Sequence, residues 1–231
     1  MNHTVQGHGS GTAFAEGAFS FQVSEHPRFR LSTPFDKPEL RRALRARRQA
    51  LSAQEQERAA DALSAHVVAL RVFAVAKRIA FYLSNDNEID PLPLMARAQA
   101  RGKHCFLPVL SRINGDRLWF APLAHDTPMR ANRFGILEPS VLPRELVRAA
   151  ALDLILMPLV GFDTRGNRLG MGGGFYDRSL DYLRGRKRWR KPHLVGLAYD
   201  FQRIEALPVN DWDVPLTAIV TDNATYHTAQ P

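Results

Sequence analysis

From residue 36 onward the apolar positions fall into two regimes. Through residue 70 they recur at helical spacing. Leu40, Leu44 and Leu51 give a partial stripe, and Leu63, Val67 and Leu70 follow at intervals of four and three, one face of a helix. Both segments open on start signals. Asp36 is a capping residue ahead of Lys37-Pro38-Glu39, where a proline is tolerated in the first turn and an acid favours the positive helix end. Ser52-Ala53-Gln54-Glu55 has the form of a capping box. The pattern predicts an N-terminal helical pair.

Beyond that the apolar runs shorten to strand length. Residues 78–83 and 104–109 are predicted strands, and the helix between them, 92–101, ends at Gly102. Asn114-Gly115 signals a turn, with Leu118-Trp119-Phe120 returning as a strand. Residues 152–160 (LDLILMPLV) are almost wholly apolar, as expected of a central strand covered on both faces. A helix is expected over 175–183 and strands over 193–199 and 217–221. Strands alternating with helices predict an α/β fold, an open, mostly parallel sheet flanked by helices, with the helical pair at its N-terminus. Residues 1–35 lack any sustained period and are rich in Gly, Ser, Thr and His, which predicts a disordered tail before a single domain over 36–231. No internal repeat is visible.

Composition narrows the class. No apolar run approaches the roughly 20 residues that span a bilayer, and residues 1–30 do not have the form of a secretory leader. The single cysteine, Cys105, suits a reducing cytoplasm and sits in a predicted buried strand. The net charge of +8 is concentrated in Arg41-Arg42, Arg45 and Arg47-Arg48, and again between Arg184 and Lys191. Such charge attracts polyanions, nucleic acid and ATP alike. Neither cluster interleaves with aromatic pairs, so each is expected to be a solvated face or loop rather than a base-stacking platform.

The chemistry gathers after the most apolar run. Gly161 to Leu169 leads into Gly170-Met171-Gly172-Gly173-Gly174 and then a helix. Glycines let a backbone approach an anion closely, and amides at a helix start point toward it. The alternative is a glycine-rich turn with no ligand. The segment is neither a P-loop nor a dinucleotide fingerprint. Arg168 can neutralise phosphate. Asp177, one turn into the helix, can hold Mg²⁺ or simply favour the helix dipole.

The motif from Met157 to Asp163, followed by Asn167-Arg168-Leu169-Gly170-Met171-Gly172-Gly173-Gly174-Phe175-Tyr176-Asp177-Arg178, resembles the signature of 5-formyltetrahydrofolate cyclo-ligases. Lys37-Pro38-Glu39-Leu40-Arg41, the segment from Phe81 to Ile89, the segment from Asn132 to Pro139, and Leu207 to Pro215 resemble that family's other segments, in its order. The resemblance spans residues 37–222.

It implies ATP- and Mg²⁺-dependent cyclisation of 5-formyltetrahydrofolate to 5,10-methenyltetrahydrofolate, with phosphorylation of the formyl oxygen and release of ADP and phosphate. Carried over residue by residue, Lys37, Arg41, Arg168, Leu169, Gly170, Met171, Gly172, Gly173, Gly174, Phe175 and Tyr176 would bind ATP. Leu83 and Glu88, with Met171 to Phe175, would bind the folate, the Glu88 carboxylate pairing with pterin N–H donors. Asp177 and Asp213 would hold Mg²⁺, with Asp211 the competing ligand. Tyr176 either stacks near substrate or is a core aromatic. Further expectations are a cytoplasmic monomer acting on folate, including polyglutamylated forms, without nucleic-acid or membrane partners.

Two positions depart from the family pattern. Many members carry lysine where this chain has Gly173, so one phosphate cation is missing and Lys37, Arg41 and Arg168 would carry more of that role. Thr217 stands where an acid is usual. Two rival readings are a basic α/β module that binds nucleic acid, and a nucleotide- or sugar-phosphate enzyme on a similar fold.

Overall fold

The computed structural model describes residue 1 and residues 36–110, 117–184, 191–208, 210 and 212–228. Residues 2–35 of the expected tail, the Asn114-Gly115 turn, residues 185–190 of the second basic cluster, and Asp211 lie outside the described residues.

α1 (Lys37–Gln49) and α2 (Ala53–Val68) form the expected helical pair, followed by a short α3 (Arg71–Val75). Both predicted caps sit at helix starts, but they act differently. Ser52 Oγ accepts from the Glu55 amide at 3.3 Å while Glu55 Oε2 accepts from the Ser52 amide at 2.8 Å, the reciprocal capping box. Asp36 holds the N-cap position of α1 without a side-chain hydrogen bond, leaving Pro38 and Glu39 to favour that start.

β1 (Arg78–Ala80), α4 (Leu92–Ala100), β2 (His104–Leu110) and β3 (Leu118–Pro122) come next. α4 closes as its glycine predicts. Gly102, at φ 68°, donates to Gln99 at 2.9 Å and Lys103 donates to Ala98 at 3.1 Å, the paired bonds of a Schellman motif. A hairpin of β4 (Met129–Ala131) and β5 (Leu137–Pro139) precedes β6 (Leu154–Pro158). A second hairpin joins β7 (Gly161–Phe162) to β8 (Arg168–Leu169), and α5 (Phe175–Leu180), β9 (His193–Leu197), β10 (Ala218–Val220) and β11 (Thr225–His227) complete the chain.

The main sheet has the order β11-β10-β9-β6-β1-β2-β3. Its five inner strands run parallel, and β3 and β11 add antiparallel edges. β6 lies at the centre, as its apolar run predicts. Leu154 and Leu156 point into the core under α2 and α4 with Leu63, Val67 and Leu94, whereas Ile155 and Met157 face a second core with Phe106, Phe120 and Leu180. That alternation is the period-two rule of a strand covered on both sides.

α1 belongs to neither main layer. Leu40 and Leu44 pack with Val160, Leu169, Ile204 and Leu207 in a third, smaller cluster. Gly161 permits the approach, because a Cβ there would lie 2.8 Å from Ile204 Cδ1 and 3.0 Å from Leu44 Cδ1. α1 is thereby seated on the segment that leaves β6.

Several predicted elements are shorter than expected: β6, β9 and β10 each lose residues at their ends, and β1 and α5 are cut most informatively. β1 stops at Ala80, and after Phe81, whose amide reaches the Phe106 carbonyl at 2.9 Å, the chain leaves the sheet. The 175–183 helix is α-helical only to Leu180 and then tightens into a 3₁₀ turn, Asp181–Leu183. No helix among the described residues is long and apolar enough to cross a membrane.

Candidate active site

β2 flanks β1 on one side and β6 flanks it on the other, so the chain's progress across the sheet reverses at β1. Open parallel sheets gather ligands at the carboxyl ends of strands at such a point. A cavity of about 630 Å³ opens there, walled by Leu83 beyond β1, Leu110 of β2 and Val160 beyond β6. That volume suits a small-molecule site.

Among the described residues, all those nominated from the sequence for nucleotide, folate or metal line this cavity: Lys37, Arg41, Leu83, Glu88, the run from Arg168 to Asp177, and Asp213. The glycine loop reaches it differently from a plain strand–loop–helix. The β7–β8 hairpin intervenes, and Asp163 holds that hairpin closed. Its carboxylate is fully buried and accepts from the Arg165 and Asn167 amides at 3.0 and 3.1 Å, from Asn167 Nδ2 at 2.9 Å and from the Leu207 amide at 3.0 Å. Burial opposes the charge, but these donors outweigh it and hold the carboxyl below its usual range.

Within the loop, Gly172 and Gly174 lie at φ 99° and 63°, where a side chain would be strained. Gly174 is the N-cap of α5, a helix of only six residues with little macrodipole of its own. The loop backbone and its flanking cations therefore set the character of this end of the cavity. Arg41 Nε donates to the Gly170 carbonyl at 2.8 Å. Arg168 is buried, donates to the Val214 carbonyl and is ion-paired with Asp177. Burial draws its pKa down while the nearby Asp177 and Asp213 charges oppose that. Arg168 and Asp177, nominated separately for phosphate and metal, are thus joined.

Asp213 Oδ2 accepts from the Asn210 amide at 2.9 Å. Among the described residues no group of three or more His, Cys, Asp or Glu side chains forms a metal cluster. Mg²⁺ commonly takes one or two carboxylates together with substrate phosphates and water, so Asp177 and Asp213 fit it as partners of a bound nucleotide.

Glu88 lines the same cavity and acts electrostatically on Tyr176. Burial pushes its carboxyl up to about 7, with Arg48 the leading opposing influence. Its Oε2 accepts from the Asn85 amide at 3.3 Å. The Tyr176 ring packs partly against the second core while lining the cavity, and burial pushes its hydroxyl well above the ordinary range.

Several lining residues escaped the sequence reading. Phe134, at the tip of the β4–β5 hairpin, meets Phe175 edge-on at 6.0 Å between centroids, and Trp212 stands exposed beside Asp213. Arg178 donates to the Gly173 carbonyl at 2.6 Å, bringing a cation onto the loop that lacks the expected lysine. A Cβ at residue 173 would meet the Phe175 ring at 2.7 Å, so a side chain there requires the ring to move.

The expectation of a solvated face for the first basic cluster needs correction. Arg42 is exposed, but Arg48 is 1% exposed, and Arg45 and Arg48 bind Asp86 at 2.7 and 2.5 Å. The signal was available: residues 37, 41, 45 and 48 recur at four, four and three, one helical face.

Fold and site together define an α/β protein with an arginine-flanked glycine loop at the switch point of an open sheet. The chain belongs to the 5-formyltetrahydrofolate cyclo-ligase family, whose sequence model matches residues 34–222. It is accordingly an enzyme of the ligase class. It is 39% identical to 5-formyltetrahydrofolate cyclo-ligase of Haemophilus influenzae over 186 residues, covering 80% of this chain and 96% of that one. The Escherichia coli K12 enzyme of the same name is 37% identical over 180 residues, 77% of this chain and 96% of that one. An NMR structure of Aquifex aeolicus 5,10-methenyltetrahydrofolate synthetase superposes with a TM-score of 0.70 at 32% identity, covering 84% of this chain and 94% of that one.

Proposed function

We propose that this protein converts 5-formyltetrahydrofolate and ATP to 5,10-methenyltetrahydrofolate, ADP and phosphate. The observation that carries the reading is convergence: four segments distant in sequence, around residues 37–41, 83–88, 168–177 and 213, line one cavity. Glu88 offers a carboxylate to a pterin, and the glycine loop with Arg41 and Arg168 offers donors to phosphates.

The formyl oxygen leaves poorly as hydroxide. The γ-phosphoryl group passes to it, forming an O–P bond as the bond to ADP breaks. N10 then attacks the activated carbon, the ring closes, the carbon–oxygen bond breaks with departure of phosphate, and the N10 proton passes to solvent. Such transfer is largely positioning and charge neutralisation, which accords with a site of glycines, arginines and carboxylates that needs no nucleophilic triad. Mg²⁺ held by Asp177 and Asp213 would offset phosphate charge. A cytoplasmic enzyme accords with the buried free Cys105.

The test is direct. Purified protein with ATP, Mg²⁺ and 5-formyltetrahydrofolate should develop the near-ultraviolet band of the methenyl product. Folded protein that gives no ATP-dependent band would overturn the proposal.

A further inference from the structure

The Glu88 loop has an unusual support. Residues 84–88 form a thin wall between the main cavity and a second hollow of about 420 Å³ behind it. Asn85, Asp86 and Glu88 line both spaces, and Glu57 of α2, Asp90 and Tyr199 line the hollow. With space on either side, core packing cannot fix this wall. Its backbone is strained as well: Asp86 and Asn87 lie consecutively in the left-handed region, at φ 54° and 55°, which side chains other than glycine adopt at a cost. The loop closes locally through the Glu88 amide, which donates to the Asn85 carbonyl at 3.1 Å.

Tyr82 also spans the loop, its hydroxyl donating to the Ile89 carbonyl at 2.7 Å, and the side-chain support for Asp86 comes from α1. The Asp86 carboxylate accepts from Arg45 Nε at 2.7 Å, Arg48 Nη2 at 2.5 Å and Gln49 Nε2 at 2.8 Å. These contacts, led by the Arg45 hydrogen bond, hold Asp86 at about 2, ionised through the working range. Arg48 is buried, and a buried guanidinium without a counter-charge is costly. Its Nε and Nη1 have no hydrogen-bond partner among the described residues. Arg48 therefore needs a carboxylate, and Asp86 and Glu88 are the two that act on the same arginine pair. With Asp86 in place, Glu88 is left for the cavity.

We infer that Asp86 is a positioning residue: clamped by Arg45, Arg48 and Gln49, it holds the strained wall and keeps Glu88 facing the cavity. The inference rests on the proposed folate reaction. α1 then serves the site twice, with Arg41 on the glycine loop and the clamp on the Glu88 loop. Removing the Asp86 charge releases Arg48 to capture Glu88.

The charges facing Glu88 give the test its sign. Arg45 and Arg48 of α1 favour its ionised form and Asp86 opposes it, while Tyr82 and Tyr176 are neutral neighbours and Glu57 and Asp90 stand across the hollow. In Asp86→Asn, the KM for 5-formyltetrahydrofolate should rise at least tenfold with the KM for ATP within about threefold, and the acid limb of kcat/KM should move to lower pH. In Arg45→Met, whose side chain is half exposed and dispensable to the core, the acid limb should move to higher pH. Amides 85–88 should exchange hydrogen faster in Asp86→Asn than in the parent, a readout independent of turnover. A folate KM within twofold of the parent in Asp86→Asn, an unmoved acid limb in both variants, or unchanged exchange would overturn the inference. Absence of turnover in the parent protein would instead refute the proposed function and leave the exchange result to judge the clamp.

Discussion

At Glu88, burial and chemistry oppose each other. Its ordinary pKa near 4.5 is pushed up to about 7, so the fold favours the protonated acid. The stability this group contributes is present below pH 4.5 and is lost as pH rises through about 7. At pH 8 the ionised carboxylate is a burden to the empty protein and, on the proposed reaction, an asset to a bound pterin. Glu88→Gln should therefore raise the melting temperature of the ligand-free protein at pH 8 by roughly 2–4 °C, about 1 kcal/mol after allowance for partial solvent access. It should also lower kcat/KM about 100-fold through lost charge-assisted hydrogen bonds. Thermal melts at pH 5 and pH 8 check the first effect, since the gain should shrink markedly at the lower pH. Asp177→Asn keeps the shape of the Arg168 partner and removes its charge. It should cut turnover about 100-fold and raise the Mg²⁺ concentration needed for half-maximal rate, with far-ultraviolet circular dichroism unchanged; near-normal activity would remove the metal role.

Among the elements, the β7–β8 hairpin decides where the glycine loop goes, and Asp163 decides the hairpin. Its carboxylate gathers donors from Arg165, Asn167 and Leu207 while fully buried. Asp163→Ala should destabilise the protein by about 3 kcal/mol, because several amides lose their acceptor away from water. Urea unfolding measures that loss. The difference from the parent should shrink as pH falls toward the acid range, since the depressed carboxyl contributes its stability above the unfolded pKa and loses it on protonation. The motif from Met157 to Asp163 was conspicuous in the sequence as a family resemblance, yet its physical role, turning the chain back beneath α1, depended on Leu207 and Ile204, more than 40 residues away.

For the molecule as a whole, the site is assembled from segments whose ends are free to separate unless the sheet and α1 hold them. Ligands that bridge them should stabilise the folded state by mass action. A non-hydrolysable ATP analogue with Mg²⁺ at 100 times its Kd should add about 2.7 kcal/mol, a rise of roughly 5–10 °C in melting temperature. A chelator should remove most of that rise, and a rise that persists in the chelator would argue against a metal shared with the nucleotide.

Local rules carried much of this protein. Ser52-Ala53-Gln54-Glu55 and Gly102 mark helix ends because capping involves only residues three to five apart, and residues 152–160 announce a central strand because burial on both faces removes every polar position. The glycine loop, Lys37, Arg41, Glu88, Asp177 and Asp213 were nominated from the chain by motif. What the sequence could not decide was which charges meet. That Arg168 is spent on Asp177, that Arg48 is buried against Asp86, and that Glu88 is held near neutrality all depend on solvent exclusion and on partners 9, 38 and 40 residues away in sequence (48 to 86 and 48 to 88 for the last two). Charge pairing and desolvation are properties of distances in space, and only the folded sheet, with α1 seated on the segment that leaves β6, sets those distances.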